Sequence, residues 1–439
     1  MRRLLPTGLI AVLLATAVSL PLPAPARVPG HEGARAATDS GDPRFIRKAI
    51  DTELTGAAFA VAADLDGRGR REVVVSAFGK IQGTSIPNGT IVSYRQRKDR
   101  SWRKRTIVPA SAGIVWPGEP LVADVDRDGD QDVVVPGGFF VCTIAVRTCG
   151  SLTWWERLDT KRPRWRQHTL VAPGAVAFYH RAILRDLDGD GRQDLLTVAE
   201  TAAHAEVQVF PGIDGPARFS TSPVTLSLGG GSLPILHDAD GDGDLDIVSG
   251  QYFDRSASFV WFERVVDPNP LQRFGVWTRH VMATGLGGVI QVEHVPGLGL
   301  VGSNHTNTTS GPPGTAESGI YLLEPDGDPH LPWRTTLLSS GIVSRADNGA
   351  GQQQGAPGVF GYGDVDLDGD RDLVVSGDGD PRLFWLDRVG PKKFVTRVIK
   401  PGFGQAGGGA VLRRQGRAEV LFASYDDSSV NLFRLRRRG

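Results

Sequence analysis

Short apolar runs bounded by Gly, Pro and Asp clusters follow one another along the chain, and no stretch between them carries a long helical period. Runs of this kind, rich in β-branched and aromatic residues, predict strands. They group in fours. Second strands are expected to begin at Glu72, Asp132, Asp194, Asp246, Gly299, Asp372 and Glu419. Third strands follow at Ile91–Tyr94, Leu152–Trp155, Val207–Phe210, Phe259–Phe262, Ile320–Leu323, Leu383–Leu386 and Val430–Phe433. Each fourth strand is marked by an aromatic residue with an aliphatic residue or Met five positions later, at Trp102, Trp165, Phe219, Trp277, Trp333 and Phe394. The seventh copy of that mark, Phe45, stands at the other end of the chain, ahead of the first repeat.

A displaced strand is explained by a circle. The segment from Arg44 to Ile50 would complete the last repeat, which otherwise stops after its third strand, and so close a ring with few exposed edges. Periods of this size predict propellers or solenoids. The expected fold is therefore all-β: a seven-bladed β-propeller of four-stranded antiparallel blades over residues 43–439, closed by its N-terminal strand.

Between first and second strands the chain repeats an acidic loop. Asp124, Asp126, Asp128, Gly129, Asp130 and Asp132 set carboxylates at loop positions 1, 3, 5 and 9, with glycine at 6 and a further acid at 7. Three more loops keep the ligand positions: Asp186, Asp188, Asp190, Asp194; Asp238, Asp240, Asp242, Asp246; and Asp364, Asp366, Asp368, Asp372. A hard cation such as Ca²⁺ takes six to eight oxygens, and a tight loop can turn alternate carboxylates toward one point. The first loop keeps Asp64, Asp66 and Glu72 but has Arg68 at the third ligand position, so a weak or empty site is expected there. An EF-hand would need Glu at position 12, where these loops have Val135, Thr197, Ser249 and Val375. About four structural calcium sites are expected, on the opposite end of the ring from the loops that join strands two and three. Repeats five and seven lack the acids.

Asp-x-Asp-x-Asp-Gly-x-x-Asp loops inside repeats of about sixty residues resemble the FG-GAP/VCBS family, over roughly residues 44 to 435. That resemblance implies a calcium-binding propeller like that of integrin α-subunits. It leaves function open, since the family includes adhesion modules, lectins, and sugar lyases or dehydratases.

Composition adds a compartment. Arg2 and Arg3, an apolar stretch from Leu9 to Leu20, and small-residue sites near Ala26 or Ala36 predict a secretory signal, with residues 1–42 as signal and flexible leader. The apolar stretch is too short to span a bilayer comfortably. In an oxidising compartment Cys142 and Cys149, the two cysteines of the chain, are expected to form a disulfide. Formal net charge is zero, which gives no reason to expect nucleic acid. A secreted monomer is the expectation.

The face away from the acidic loops gathers polar and aromatic residues, among them Tyr179, His180, Arg181, Glu200, His204, Gln251, Tyr252, Asn304, His305, Asp378 and Tyr425. Tyr179, His180, Arg181, Tyr252 and His305 are the candidate ligand contacts, expected to sit in surface loops. His180, His204 and His305 are the candidates for acid–base work. No Gly-x-Ser-x-Gly elbow or His-Glu-x-x-His helix is present. The expected function is a binding or adhesion module for a glycan or extracellular protein, the alternative a carbohydrate-active lyase or dehydratase.

Overall fold

The computed structural model describes residues 44–67, 69, 71–140, 142, 148–159, 163–254, 256–306, 317–344, 355–414 and 416–436. The leader and Arg68 lie outside the described residues. Among those described, the strands form seven antiparallel sheets of four. Blade 1 runs Ala57–Ala63, Glu72–Ala77, Thr90–Gln96 and Trp102–Val108; blade 2 Leu121–Ala123, Asp132–Gly137, Gly150–Arg157 and Trp165–Ala175. Blade 3 runs Ala182–Arg185, Asp194–Glu200, Ala205–Phe210 and Val224–Leu228; blade 4 Ile235–His237, Asp246–Gly250, Phe259–Val266 and Val276–Ala283. Blade 5 runs Val289–Val295, Gly299–Asn304, Ile320–Glu324 and Arg334–Leu337; blade 6 Phe360–Gly363, Asp372–Ser376, Arg382–Gly390 and Lys393–Pro401. Blade 7 takes Ala406–Arg414, Arg417–Ser424 and Ser429–Leu435, and its fourth strand is Phe45–Asp51.

Six of the seven second strands begin where expected, and the last begins at Arg417, two residues before Glu419. Two fourth-strand marks are displaced. Trp333 lies one residue before its strand and Phe219 five before Val224, because Pro223 has no N–H to donate to the ladder. Phe219 is nonetheless buried and meets Trp154 of blade 2 edge-on. The aromatic plugs the core whether or not it is in the strand.

Period-two alternation explains how the blades stack. Val73 and Val75 enter the core between blades 7 and 1, whereas Val74 enters the core between blades 1 and 2. Val134 faces blade 3 while Val133 and Val135 face blade 1. Successive side chains leave a strand on opposite faces, so a second strand buried on both faces must be apolar at every position. Each of the seven blade junctions has its own buried cluster.

Closure rests on the ladder from Phe45↔Leu435 to Asp51↔Val430. Arg47 Nε donates to Asn431 Oδ1 at 2.7 Å, and Phe45 sits edge-on to Trp385 of blade 6 at 5.8 Å. Deleting residues 1–51 should expose the outer edge of Ser429–Leu435 and cost more than about 2 kcal/mol, the burial of one Phe alone. Deleting residues 1–41 should leave thermal unfolding unchanged. Coincident melting curves for the two truncations would contradict closure by this strand.

Candidate functional site

Two sets of candidate residues occupy opposite ends of the ring, because loops alternate between ends along an antiparallel sheet. The acidic loops join first and second strands. In three of the complete loops the first aspartate accepts the amide N–H of the position-six glycine: Gly129 to Asp124 at 3.1 Å, Gly191 to Asp186 at 2.9 Å, Gly243 to Asp238 at 3.1 Å; the incomplete first loop does the same, Gly69 to Asp64 at 2.6 Å. The three glycines of the complete loops have φ of +94°, +86° and +98°, the left-handed region that side-chain-bearing residues rarely adopt.

The ninth-position aspartate does more than close the loop. Asp132 accepts from the Val125 N–H and the Arg157 N–H at 3.2 and 2.7 Å, tying its loop to the third strand of the blade. Asp194, Asp246 and Asp372 repeat this with Leu187 and Gly212, Ala239 and Arg264, and Val365 and Arg388. All four are buried. Burial, with neighbouring carboxylates adding to it, pushes Asp132, Asp246 and Asp372 up to about 7. Asp130, also buried, is pushed up to about 6.

Three carboxylates converge in each of the four complete loops, with ligand atoms within 4.8 Å of one another. The sets are Asp124, Asp126, Asp128; Asp186, Asp188, Asp194; Asp238, Asp240, Asp246; and Asp364, Asp366, Asp368. Crowded acids at this spacing fit a divalent cation held by oxygen. In the first loop Arg95, from the third strand of blade 1, reaches Asp66 at 2.8 Å and Glu72 at 3.8 Å. A guanidinium there supplies the charge that a cation would bring. Arg273 likewise bonds Asp188, and Asp190 at 3.0 Å.

At the far end, the structure corrects the expectation that all five candidate contacts stand in surface loops. Tyr179 is 4% exposed and packs in the core between blades 2 and 3. Its connection runs straight into Ala182–Arg185, so Tyr179, His180 and Arg181 already take inward directions. Arg181 points into the axial channel, where it pairs with Glu119 of the blade 1–2 connection at 2.9 Å and Glu293 of blade 5 at 2.7 Å. His180 and Glu200 are each 2% exposed and lie 3.4 Å apart. Both His180 ring nitrogens and Glu200 Oε2 lack a hydrogen-bond partner among the described residues. The His305 side chain, also buried, bonds the Pro357 carbonyl at 2.8 Å through Nδ1 and approaches Asp378 at 3.7 Å through Nε2. Tyr252 remains half-buried.

Gln251 and Asn304 are buried and stitch their own loops through backbone contacts. His204 is 63% exposed on a hairpin tip and joins neither buried histidine. The axial pair His237 and His294 stack at 4.5 Å, as first-strand residues facing the axis should.

What the sequence reading missed is an aromatic belt across the mouth. Phe78 stacks on Trp116 at 4.6 Å, and both meet Tyr425. Phe78 approaches Phe139, which meets Phe140, and Phe140 reaches Tyr252 at 4.5 Å. Phe139 and Phe140 ride on the loop bridged by Cys142–Cys149, whose Cα atoms are 5.5 Å apart. They also cover His180, at 4.7 and 4.3 Å between ring centres. Trp116, Phe139, Phe140, Tyr252, Phe253 and Tyr425 are all half-exposed. A signal existed in the adjacent Phe139-Phe140 beside a cysteine, but nothing local tells an aromatic loop that it will face four other blades. Two cavities lie elsewhere: a 570 Å³ groove between blades 1 and 2 carrying Arg103, Arg105 and Arg164, and a 440 Å³ space in the axial channel.

Burial pushes Glu200 up to about 8 and His180 down to about 3, favouring the neutral form of both. Burial also lowers His305 to about 4, and burial with the nearby Asp426 raises Asp378 to about 7. For Glu200 the folded state keeps a proton that the unfolded chain releases in the ordinary carboxylate range. Its contribution is therefore fully present in acid and is lost as pH rises through about 8, at up to ~1.4 kcal/mol per pH unit. The melting temperature should fall less between pH 5 and 9 in Glu200→Gln than in the parent, both measured in excess calcium. Parallel pH curves would contradict a protonated Glu200.

The model of FG-GAP-like repeats matches residues 64–135 and 186–249. No curated protein matches the chain. Among solved structures it is similar to BBS1N in complex with ARL6DN, at 9% identity and a TM-score of 0.48, covering 90% of this chain and 97% of that one. It is also similar to the Dos1 propeller, at 8% identity, TM-score 0.46, and coverage of 89% and 94%. A third is a putative oxidoreductase (glucose dehydrogenase) of Thermus thermophilus, at 13% identity, TM-score 0.42, and coverage of 73% and 97%. None of the three bears on activity. Residues 64–135 and 186–249 are thus FG-GAP-like repeats, set within a ring of seven four-stranded blades.

Proposed function

We propose that the protein is an exported binding module whose aromatic mouth receives a glycan-like ligand, while calcium in the four complete acidic loops stabilises the opposite end. The observation that carries the reading is the belt itself. Six half-exposed rings from the loops of several blades converge over two His–acid pairs that are largely buried. Flat apolar faces beside fixed polar groups suit the mixed surface of a sugar. Export rests on the leader pattern and agrees with the cysteine bridge. Among the described residues no helix is long and apolar enough to cross a membrane.

A glycan-array screen in calcium tests the binding reading, followed by affinity and melting measurements on variants. Tyr252→Ala and Tyr425→Ala should each weaken binding about 30-fold, ~2 kcal/mol, as loss of a central aromatic contact does. Their melting temperatures should stay close to the parent's, because neither ring belongs to a blade junction. Normal binding by both variants would sink the proposal. The His180–Glu200 and His305–Asp378 pairs favour a second reading, a carbohydrate-active enzyme, and turnover of a hit that is lost in His305→Ala would establish it. Arg181, held by Glu119 and Glu293, stands apart from any such centre.

Calcium is supported by the carboxylate sets and by their mutual repulsion. Titration of chelated protein should report four sites, with the Asp186 and Asp364 loops weakest because the ion must displace Arg273 from Asp188 and Arg413 from Asp364. Each site filled at ten times its dissociation constant adds about 1.4 kcal/mol. Chelation should lower the melting temperature, and Asp128→Ala should reproduce part of that loss. No uptake would refute the assignment; a fifth site would mean that Arg95 yields to the ion.

A further inference from the structure

We propose that Glu263, His280 and His330 form a site for a zinc-class divalent transition metal where the outer strands of blades 4 and 5 meet. The site is separate from the acidic loops and from the aromatic mouth. Glu263 lies on the third strand of blade 4 and His280 on the fourth. His330 arrives on the turn between the third and fourth strands of blade 5. One ligand atom from each of the three lies within 4.8 Å of the other two.

The donors decide the metal. Two imidazoles and one carboxylate suit zinc and its neighbours, whereas calcium takes oxygen alone. Bonds of about 2.0–2.1 Å in a tetrahedron set ligand atoms roughly 3.3 Å apart. Glu263 Oε2 and His330 Nε2 stand 3.4 Å apart. Glu263 Oε2 and His280 Nε2 are at 2.6 Å, a hydrogen bond that opens when the ion takes the place of the shared proton. The fourth position is left to water or to a partner's side chain.

Supports around the ligands are those a metal site needs. His330 Nδ1 bonds Asp328 Oδ1 at 2.7 Å, which presents Nε2 to the site. The same Asp328 oxygen accepts the His330 amide N–H at 3.0 Å, and the Trp333 indole N–H holds the Pro329 carbonyl at 2.8 Å, so the turn is fixed. Trp261 stacks against His280 with ring centres 4.7 Å apart.

Blade 2 supplies an internal comparison. There His168 bonds Glu156 at 2.7 Å and stacks on Trp154 at 4.1 Å, but the third partner is Arg166, at 3.3 Å from Glu156. A His–acid–Trp set is thus part of the blade by itself. A second imidazole turns the blade 4 copy into a ligand set, and a guanidinium turns the blade 2 copy into an ion pair.

The test uses the full chain with the acidic loops saturated by calcium, titrated with cobalt(II) and then zinc(II). One equivalent of cobalt should bind, with the intense visible absorption of a four- or five-coordinate centre containing nitrogen, and zinc should displace it. His330→Ala, an exposed turn residue, should abolish that absorption without lowering the melting temperature. Asp328→Asn should weaken binding ~10–100-fold, and His168→Ala should leave it intact. Cobalt uptake that is absent, or unchanged in His330→Ala, or carrying only the weak bands of an all-oxygen octahedral centre, overturns the proposal.

Discussion

Every blade of this ring depends on one ladder, that between Phe45–Asp51 and Ser429–Leu435. A blade buries both faces, each against a neighbour, so an open ring would leave two faces bare and one edge unpaired. The hydrogen bond from Arg47 to Asn431 joins residues 384 apart. Loop-closure entropy grows only with the logarithm of length, so a contact that distant is within reach of modest local energies. Phe45 against Trp385, and the guanidinium groups of Arg44 and Arg47 over Trp385 and Phe403, supply them.

The second constraint is electrostatic. Four loops place buried carboxylates where they also hold the backbone, since Asp132 and its counterparts each tie a loop to the end of the neighbouring third strand. Removing the acid would release that tie; keeping it concentrates negative charge in a region of poor solvation. The chain answers this in two ways. Arg95 brings a permanent cation to the first loop, and the complete loops converge their acids as a divalent ion requires. Arg413, reaching Asp364 at 2.6 Å from blade 7, shows the same need at blade 6.

The opposite end is built by loops that no strand pattern demands. Trp116, Phe140, Leu233 and Asp378 there have φ between +41° and +52°. Such backbone costs energy for a residue with a side chain and persists only where its surroundings hold it. Here the aromatic contacts and the cysteine bridge hold it. Under the belt, His180 and Glu200 face each other at 3.4 Å, yet both His180 ring nitrogens and Glu200 Oε2 find no hydrogen-bond partner among the described residues, against the rule that buried polar groups are bonded. That combination makes the mouth, rather than the basic groove between blades 1 and 2, the place where a ligand is sought.

Fold and loops were legible because their signals are local and repeated. A period of two, the glycine at loop position six and the aromatic before Phe45-type strands recur around the ring, and repetition turns weak signals into an architecture, including the displaced first strand. The ninth-position aspartates were legible as acids, but their grip on amides across the blade depended on a neighbour in the sheet. The mouth was legible only as a set of residues. Tyr179, His180 and Arg181 are consecutive, yet one enters a blade core, one pairs with Glu200, and one crosses the axis to Glu293. Sequence determines that such residues lie at the end of a blade. Which way each side chain turns is decided by what the other six blades bring to the axis, and that is set by the closed ring alone.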